Sequence, residues 1–291
     1  MKFSKILIMS LLLIHSSKSV AQITRAYGMD SPSFVLESAD ITKYETLDSC
    51  YLTVSYLFGH RASEKDDSLS YEDLMDLQAG RNYNAFFSKN LRDHDKEIEE
   101  LKKTTRYLPC VPDECVGFDL IFNHSDSTTS ETNRIPFTTQ MIEYSERTEN
   151  PKWIVNSEDT DTVMGYKCIS ATCNFRGRKW KVWFTPEIPL PYGPWKLNGT
   201  DGLILKATDT DNNFKFEAVG LSQKNEPIIR YEWKRKEMSR KDWKRFERDM
   251  HENAGAFANR IGIQINIIDN SERGFHKQTG DWSIFYNPLE F

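Results

Sequence analysis

The chain has 291 residues, of which 28% are charged and 12% aromatic, and its formal net charge at pH 7 is −5. Acidic residues outnumber basic ones by 43 to 38, so the chain lacks the overall positive charge of a nucleic-acid binder. This length is enough for one large β domain or two small ones.

The N-terminus has the three parts of a secretory signal peptide. Two lysines form a positive n-region, residues 6–14 form an apolar segment, and residues 19–21 supply the small side chains that a signal peptidase reads. The apolar segment is too short to span a bilayer, and no later segment approaches the roughly 18 apolar residues that spanning needs. We therefore expect residues 1–21 to be removed and residues 22–291 to form a single exported β-rich domain.

The next part of the chain predicts strands and one helix. Residues 41–58 favour one long strand or two, and residues 71–87 favour a hairpin-like pair. Residues 92–103 are charged, with Ile98 and Leu101 three apart, which indicates a short exposed helix.

The central part reads as an irregular segment followed by more strands. Residues 106–135 are predicted to be irregular, with a flexible loop in the Ser/Thr-rich stretch 125–130. Strands are expected around Met141 and Trp153. Two paired strands are expected within 164–184, and a further hairpin follows across the turn at 209–213.

A helix and two strands complete the pattern. Residues 239–242 resemble a capping box, and an apolar stripe at helical spacing follows, made of Trp243, Phe246, Met250 and Phe257. Residues 261–268 alternate like a strand, and residues 282–286 are predicted as the last one. The fold class is therefore mainly β (a β-rich α+β fold), with a curved antiparallel sheet or half-barrel around one long packed helix. This order is similar to the half-barrel of periplasmic lipoprotein carriers, which is an analogy of fold only.

Five cysteines lie after residue 21, and an oxidising compartment permits disulfides. Cys110 and Cys115 are the candidate pair, because Pro112 and Asp113 favour a turn between them. The remaining cysteines read as structural, and no Cys or His spacing in the sequence is typical of a zinc site.

Other chemical motifs are incomplete. The oxygen-bearing run at 209–213 has the first three ligand positions of a calcium loop, but it lacks the glycine at the sixth position and the glutamate at the twelfth. We read it as a hairpin turn. No histidine lies in a metalloprotease or nucleophile motif, so the sequence assigns no catalytic residue, metal ligand or cofactor.

Residues 186–202 contain four prolines and three glycines, which excludes a regular central strand. We call this segment the signature loop. Two interpretations stay open: Tyr192, Trp195 and Leu203 border a ligand pocket, or the loop is a structural plug with Trp195 and Leu197 in the core.

The region around this loop resembles the GLPGLI family of exported Gram-negative proteins. The naming hexapeptide corresponds to residues 199–204, where Thr200 and Asp201 replace the leucine and proline of the family motif. Residues 76–81, 164–168, 175–178 and 286–290 also resemble family elements. The resemblance implies export, a β-rich fold and an unknown activity, and the two replacements make the loop more polar and less rigid.

These observations favour an exported envelope protein, periplasmic, extracellular or outer-membrane associated, that binds an apolar or lipid-like ligand or an envelope protein partner without catalysis. One alternative is an exported hydrolase or protease-associated factor with a site assembled from scattered residues. Another is a structural assembly partner. Neither nucleic acid nor a cofactor is expected.

Signal cleavage gives a first testable prediction. Intact-mass analysis of the exported protein should show a chain that begins at Gln22, because signal peptidase cleaves after the small residue Ala21. A cytoplasmic pool that retains Met1 as the main species would contradict the export prediction.

Overall fold

The computed structural model describes residues 22–25, 34–61, 71–105, 108–112, 115–262, 264–267 and 283–291. The predicted signal peptide lies outside these residues. The chain divides into two compact units. The larger comprises Val35–Lys244 and Asn287–Phe291, and the smaller comprises the described residues up to Phe34 together with those of Arg245–Tyr286.

The described residues are rich in β-strands, as the sequence predicts. The strands are β1 (Gln22–Arg25), β2 (Tyr44–His60), β3 (Tyr71–Gly80), β4 (Tyr83–Ser88), β5 (Phe118–Asn123), β6 (Thr128–Arg134), β7 (Met141–Arg147), β8 (Ile154–Val163), β9 (Tyr166–Phe175), β10 (Arg178–Thr185), β11 (Leu203–Asp209), β12 (Phe214–Ser222), β13 (Glu226–Tyr231), β14 (Arg235–Glu237) and β15 (Gln264–Ile267). The helices are α1 (Lys89–Leu101), α2 (Arg240–Glu252) and α3 (Ala254–Arg260).

One large open sheet organises the larger unit. Its strand order is β14-β7-β6-β5-β4-β3-β2-β12-β11-β10-β9-β8, with β13 paired to the start of β2. All described pairs in this sheet are antiparallel except β14 with β7. The long strand β2 pairs with β3 and with β12, and its first residues pair with β13. This arrangement confirms the predicted hairpins of β3–β4, β9–β10 and β11–β12.

The alternation of side chains fixes which face of each strand is buried. On β10, Trp180, Val182 and Phe184 are almost fully buried, whereas Lys179 and Lys181 lie on the other face. Trp180, Val182 and Phe184 pack with apolar residues of the neighbouring strands in one continuous core. That core also contains Trp195 and Leu197 of the signature loop. In the larger unit, therefore, the loop supplies part of the core that covers the sheet.

Three sequence predictions about secondary structure are wrong in detail. The segment predicted to be irregular contains the β5–β6 hairpin, whose strand β6 is almost entirely polar. Its buried polar side chains have partners, for example Thr132 Oγ1 with Glu143 Oε2 at 2.8 Å, so polarity does not prevent burial. The single long helix is two helices, α2 and α3, separated at Asn253. Residues 283–286 form no strand.

Helix α1 exists as predicted but is not exposed. Its charged residues Arg92 and Asp95 are buried because each has an ionic partner. The Arg92 guanidinium lies 2.9 Å from Asp119, and Asp95 Oδ1 accepts from Arg134 at 3.1 Å. Paired charges can be buried at a tolerable cost, whereas a pattern of polarity alone predicts exposure.

The smaller unit has a short parallel pair, β1 with β15, and an aromatic cluster around α3. Phe257 makes edge contacts with Phe34 and Phe246, with ring centroids 6.2 and 6.1 Å apart. His251 contacts Phe34 and Tyr286 in the same cluster. These contacts account for the apolar spacing of Phe246 and Phe257 in the sequence.

The signature loop follows a single backbone path that its glycines permit. Gly199 has φ +83°, in the region that glycine enters without strain. A side chain at Gly202 would place its Cβ 2.2 Å from the carbonyl oxygen of Thr185. Backbone bonds from Leu203 to Ile188 and from Ile204 to Tyr192, both 2.9 Å, hold the two ends of the loop together.

The close approach at Gly202 gives a second prediction. Gly202→Ala should lower the free energy of unfolding by about 1–3 kcal/mol or more, because rigid backbone must move to admit the methyl group. Gly220→Ala is the matched control, since its Cβ would be 3.5 Å from Ser55, an ordinary contact. Urea unfolding of both variants measures the difference, and equal stability of the two would contradict the close approach.

Candidate functional site

A pocket of about 420 Å³ lies in the larger unit, beside the signature loop. Its walls come from the loop, from the ends of β3 and β5, and from the segment after β7. The volume falls within the range of small-molecule sites. Aromatic and amide side chains dominate the lining, which includes Phe122, His124, Tyr192, Trp195, Asn84, Asn123, Asn150 and Asn198.

Tyr192 and His124 form one aromatic wall of the pocket. Their rings stack at a centroid distance of 5.5 Å with 22° between the planes. Tyr192 also hydrogen-bonds the hydroxyl of Tyr51, and burial together with this neighbour raises the pKa of Tyr51 to about 12. Burial lowers the pKa of His124, so this wall is uncharged at neutral pH.

Trp195 forms the floor and joins the pocket to the core. Its side chain is 2% exposed and packs against Trp180 and Phe175, with ring centroids 5.7 and 5.9 Å away. Leu203, the third residue predicted at the pocket, is fully buried in the same core and is not part of the pocket lining. The loop thus closes the core with one set of side chains and borders a pocket with another.

Four asparagines bring hydrogen-bonding groups to the pocket. Asn84 is buried, and its Oδ1 accepts from Gly80 N at 3.2 Å. Asn123 is occupied by its own turn, where it accepts from Ser125 and donates to Asp126. Asn150 is exposed and makes no side-chain hydrogen bond with any residue that the structure describes. It is therefore available to a ligand.

The backbone of Asn198 is tied to the sheet. Its carbonyl oxygen accepts from the indole Nε1 of Trp153 at 2.8 Å. The neighbouring Gly199 N donates to Pro191 O at 2.9 Å, across the loop. These bonds fix the pocket side of the loop before any ligand arrives.

A buried cluster of charges lies directly behind the pocket floor, centred on Lys196. Its side chain is 5% exposed, and its Nζ lies 2.9 Å from Glu131, 3.1 Å from Glu146 and 3.2 Å from Glu290. Tyr144 donates to Glu131 at 2.6 Å and accepts from Lys196 at 2.9 Å. The cluster thereby ties the loop to β6, β7 and the last residues of the chain.

Three further cations complete this network. Arg176 contacts Glu146 at 3.0 Å, and Arg240 contacts Glu290 at 3.2 Å. Lys244 lies 3.8 Å from Glu290. Several cations therefore surround Glu290.

The pKa shifts in the cluster reinforce the ion pairs. Burial alone would raise the pKa of Glu290, but Lys196 and Lys244 outweigh it and lower that pKa to about 2. Burial would likewise lower the pKa of Lys196, but Glu131 and Glu290 reverse the sign and raise it. The pKa of Tyr144 is raised by burial and by the same carboxylates.

The directions of these pKa shifts limit the chemistry that the cluster can perform. A general acid or base works best with a pKa near the operating pH, whereas each of these groups is shifted away from neutrality. The arrangement is that of a structural ion-pair network. Among the described residues, no three His, Cys, Asp or Glu side chains are grouped so as to hold a metal ion.

The sequence also singled out the 209–213 turn and the pair Cys110 and Cys115. Asp209 accepts from the backbone of Asn213 at 2.7 Å and of Phe214 at 2.8 Å, and it pairs with Arg178, as expected for a closed hairpin turn. Cys110 is exposed and Cys115 is buried, while residues 113–114 lie outside the described part of the chain. The bridge between these cysteines stays a prediction.

Comparison with known proteins gives little further information. No family model and no curated protein matches the chain. Two crystal structures of PNGF-II, in space groups C2 and P21, are similar over 68% and 77% of this chain, with 13% and 15% identity and a TM-score of 0.45 in both cases. The chain spans only 32% and 37% of those proteins. Similarity at this level supports no conclusion about fold or function.

Sequence reasoning found the aromatic part of the site and missed the charges and amides around it. Lys196 stands between Trp195 and Leu197, two residues that the plug interpretation places in the core. A lysine between two core positions was the available signal that a buried cation is present. Nothing in the sequence indicates which carboxylates it meets.

The buried cation gives a third prediction. Lys196→Met should lower the free energy of unfolding by about 3–5 kcal/mol near pH 7, because three carboxylates lose their common counter-charge. Lys181→Met is the matched control: its partner Asp159 is 2.6 Å away, but both side chains are partly exposed, so the loss of stability should be much smaller. Urea unfolding measures both.

The same variant predicts a pH dependence. Glu290 has a folded pKa below its ordinary value of 4.5, so its stabilising effect is complete above that value and is lost as the pH falls toward about 2. Without Lys196 the buried carboxylates favour their protonated forms. The stability gap between wild type and Lys196→Met should therefore narrow from neutral pH to about pH 3. A gap that is independent of pH would contradict the ionic role of Lys196.

Proposed function

We propose that this chain is an exported, non-catalytic binding protein whose ligand occupies the pocket at the signature loop. The observation that carries the proposal is the pocket itself, about 420 Å³ in volume, built on a loop that is fixed by backbone bonds and by a buried ion-pair network. A pocket that is formed before binding avoids the entropic cost of ordering a mobile loop.

The ionisable groups in and beside the pocket favour binding over catalysis. A hydrolase would need a titratable group with a pKa near neutral pH. Beside the pocket, however, the pKa of Lys196 is raised and that of Glu290 is lowered, so both are shifted away from neutrality. His124 is stacked against Tyr192 and has no carboxylate neighbour within hydrogen-bonding distance among the described residues. An exported hydrolase stays the alternative, with less support from this site.

We expect the ligand to carry hydrogen-bonding groups as well as an apolar surface. The aromatic wall and floor suit an apolar surface, but an entirely apolar ligand would cover the amides of Asn84 and Asn150 without replacing their water. A ligand with both an apolar face and hydrogen-bonding groups fits better. Partner-chain binding remains compatible with the proposal if a side chain of that partner enters the pocket.

Membership of the GLPGLI family, export to the periplasm or beyond, and the analogy to lipoprotein carriers belong to the same proposal. The open antiparallel sheet is compatible with a half-barrel. However, the sheet face is filled by side chains of the chain itself, with the loop residues Trp195 and Leu197 among them. We therefore place the ligand at the rim of the sheet, beside the loop, rather than inside it. Among the described residues, none of the helices has the length and apolar character that crossing a bilayer requires.

A direct test is to recover the protein from its own cell envelope and identify the small molecules that accompany it by mass spectrometry. The wild type should carry material that Tyr192→Ala loses, because that change removes the aromatic wall. Tyr44→Ala is the matched control, since Tyr44 is an exposed tyrosine of β2 that does not line the pocket. Equal recovery from all three proteins, or none from any, would contradict binding at this site.

A further inference from the structure

We infer that the pocket at the signature loop takes an uncharged saccharide. This inference rests on the proposed binding function and adds the chemical class of the ligand. It follows from the charge of the lining, from its hydrogen-bonding groups and from its aromatic surfaces.

The charge of the lining argues against ionic ligands. Among the described residues that line the pocket, Arg81 is the one side chain with a permanent charge, and no carboxylate is present. A cationic ligand would find no counter-charge. Arg81 is exposed at the rim, so a phosphate or carboxylate would meet one solvated guanidinium rather than the buried cations that bind anions strongly.

The hydrogen-bonding groups argue for a ligand with many hydroxyls. The amide of Asn150 offers both a donor and an acceptor, and the Nδ2 of Asn84 donates to no residue that the structure describes. Arg81 adds donors in a planar fork. Hydroxyl groups donate and accept, so a saccharide can satisfy all of these groups, whereas an acyl chain would cover them without a hydrogen-bond partner.

The aromatic surfaces supply the second half of saccharide recognition. A sugar ring has an apolar face of C–H groups, which packs on the electron-rich face of an aromatic ring. Tyr192 is held in place by His124 on one side and by the Tyr51 hydroxyl, and Trp195 is fixed in the core. The Tyr192 ring needs no rearrangement to receive a flat apolar face, and the volume suits a small oligosaccharide or the end of a longer chain.

The test uses the mature chain and probes of three classes. A neutral glycan array with cellobiose and maltose represents saccharides, dodecanoate represents acyl chains, and uridine represents flat heterocycles. Calorimetry measures affinity. We expect binding of at least one neutral saccharide, but of neither dodecanoate nor uridine.

Variants separate stacking from hydrogen bonding. Tyr192→Ala should weaken saccharide binding about tenfold or more, whereas Tyr192→Phe should retain most of it because the ring face is kept. Asn150→Leu should weaken binding while leaving stability unchanged, since Asn150 is exposed and has no protein partner to lose among the described residues. Tyr44→Ala should bind like the wild type.

The possible outcomes distinguish the saccharide inference from the proposed binding function. Binding of dodecanoate or uridine, with no response to any glycan, would overturn the saccharide inference but would still support the binding function. Saccharide binding that survives Tyr192→Ala and Asn150→Leu would place the sugar elsewhere and overturn the assignment of this pocket. Absence of binding by every probe, together with the absence of co-purifying material, would overturn both proposals.

Discussion

The position of the signature loop depends on the buried ammonium group of Lys196. Its three carboxylate partners come from β6, from β7 and from the end of the chain. Glu146 and Glu290 are 50 and 94 residues from Lys196 in the sequence, so one side chain joins distant segments. A buried ion pair of this kind adds little net stability compared with apolar packing, but it is costly to break and is selective about its partners. We regard the cluster as the element that fixes where the loop lies, while the apolar core supplies most of the stabilisation.

Trp195 and Lys196 show how one loop serves two environments. Trp195 has φ +52°, a left-handed conformation that is uncommon for residues other than glycine, and its side chain lies between the core and the pocket floor. The next residue lies in the ionic cluster. Strain at Trp195 persists because the contacts on both sides determine the backbone path. The pocket floor is therefore as rigid as the core, which favours binding by a preformed site over binding by closure.

Sequence reasoning identified the elements whose signal is local. The β9–β10 and β11–β12 hairpins have alternating side chains and turn residues, and the signature loop has its prolines and glycines. It failed where burial depends on a distant partner. The polar residues of β6 favour a loop in sequence, but Glu131 is buried because its partner Lys196 belongs to another segment. The charged residues of α1 favour exposure, but Arg92 is buried against the remote Asp119. The asparagines of the pocket were missed for the same reason, since only the folded chain brings them beside Tyr192.

Residues 199–204 resemble the GLPGLI hexapeptide, with Thr200 and Asp201 in place of its leucine and proline, and this difference has an unexpected effect on the rigidity of the loop. Replacing leucine and proline by Thr200 and Asp201 predicts a looser loop, because proline restricts the backbone of the unfolded chain as well as the folded one. In the structure Thr200 is buried, and its hydroxyl donates to the carbonyl oxygen of Gly202 at 2.7 Å, while Asp201 is exposed. A side-chain hydrogen bond to a carbonyl that lies two residues along the chain thus holds the turn that proline would have restricted. Since Gly202 has no room for a side chain, this bond also holds the loop at the point where it approaches Thr185 most closely. The Thr200 hydroxyl is used within the loop, and neither Thr200 nor Asp201 lines the pocket, so these two residues do not explain the polar character of the pocket, to which the asparagines contribute.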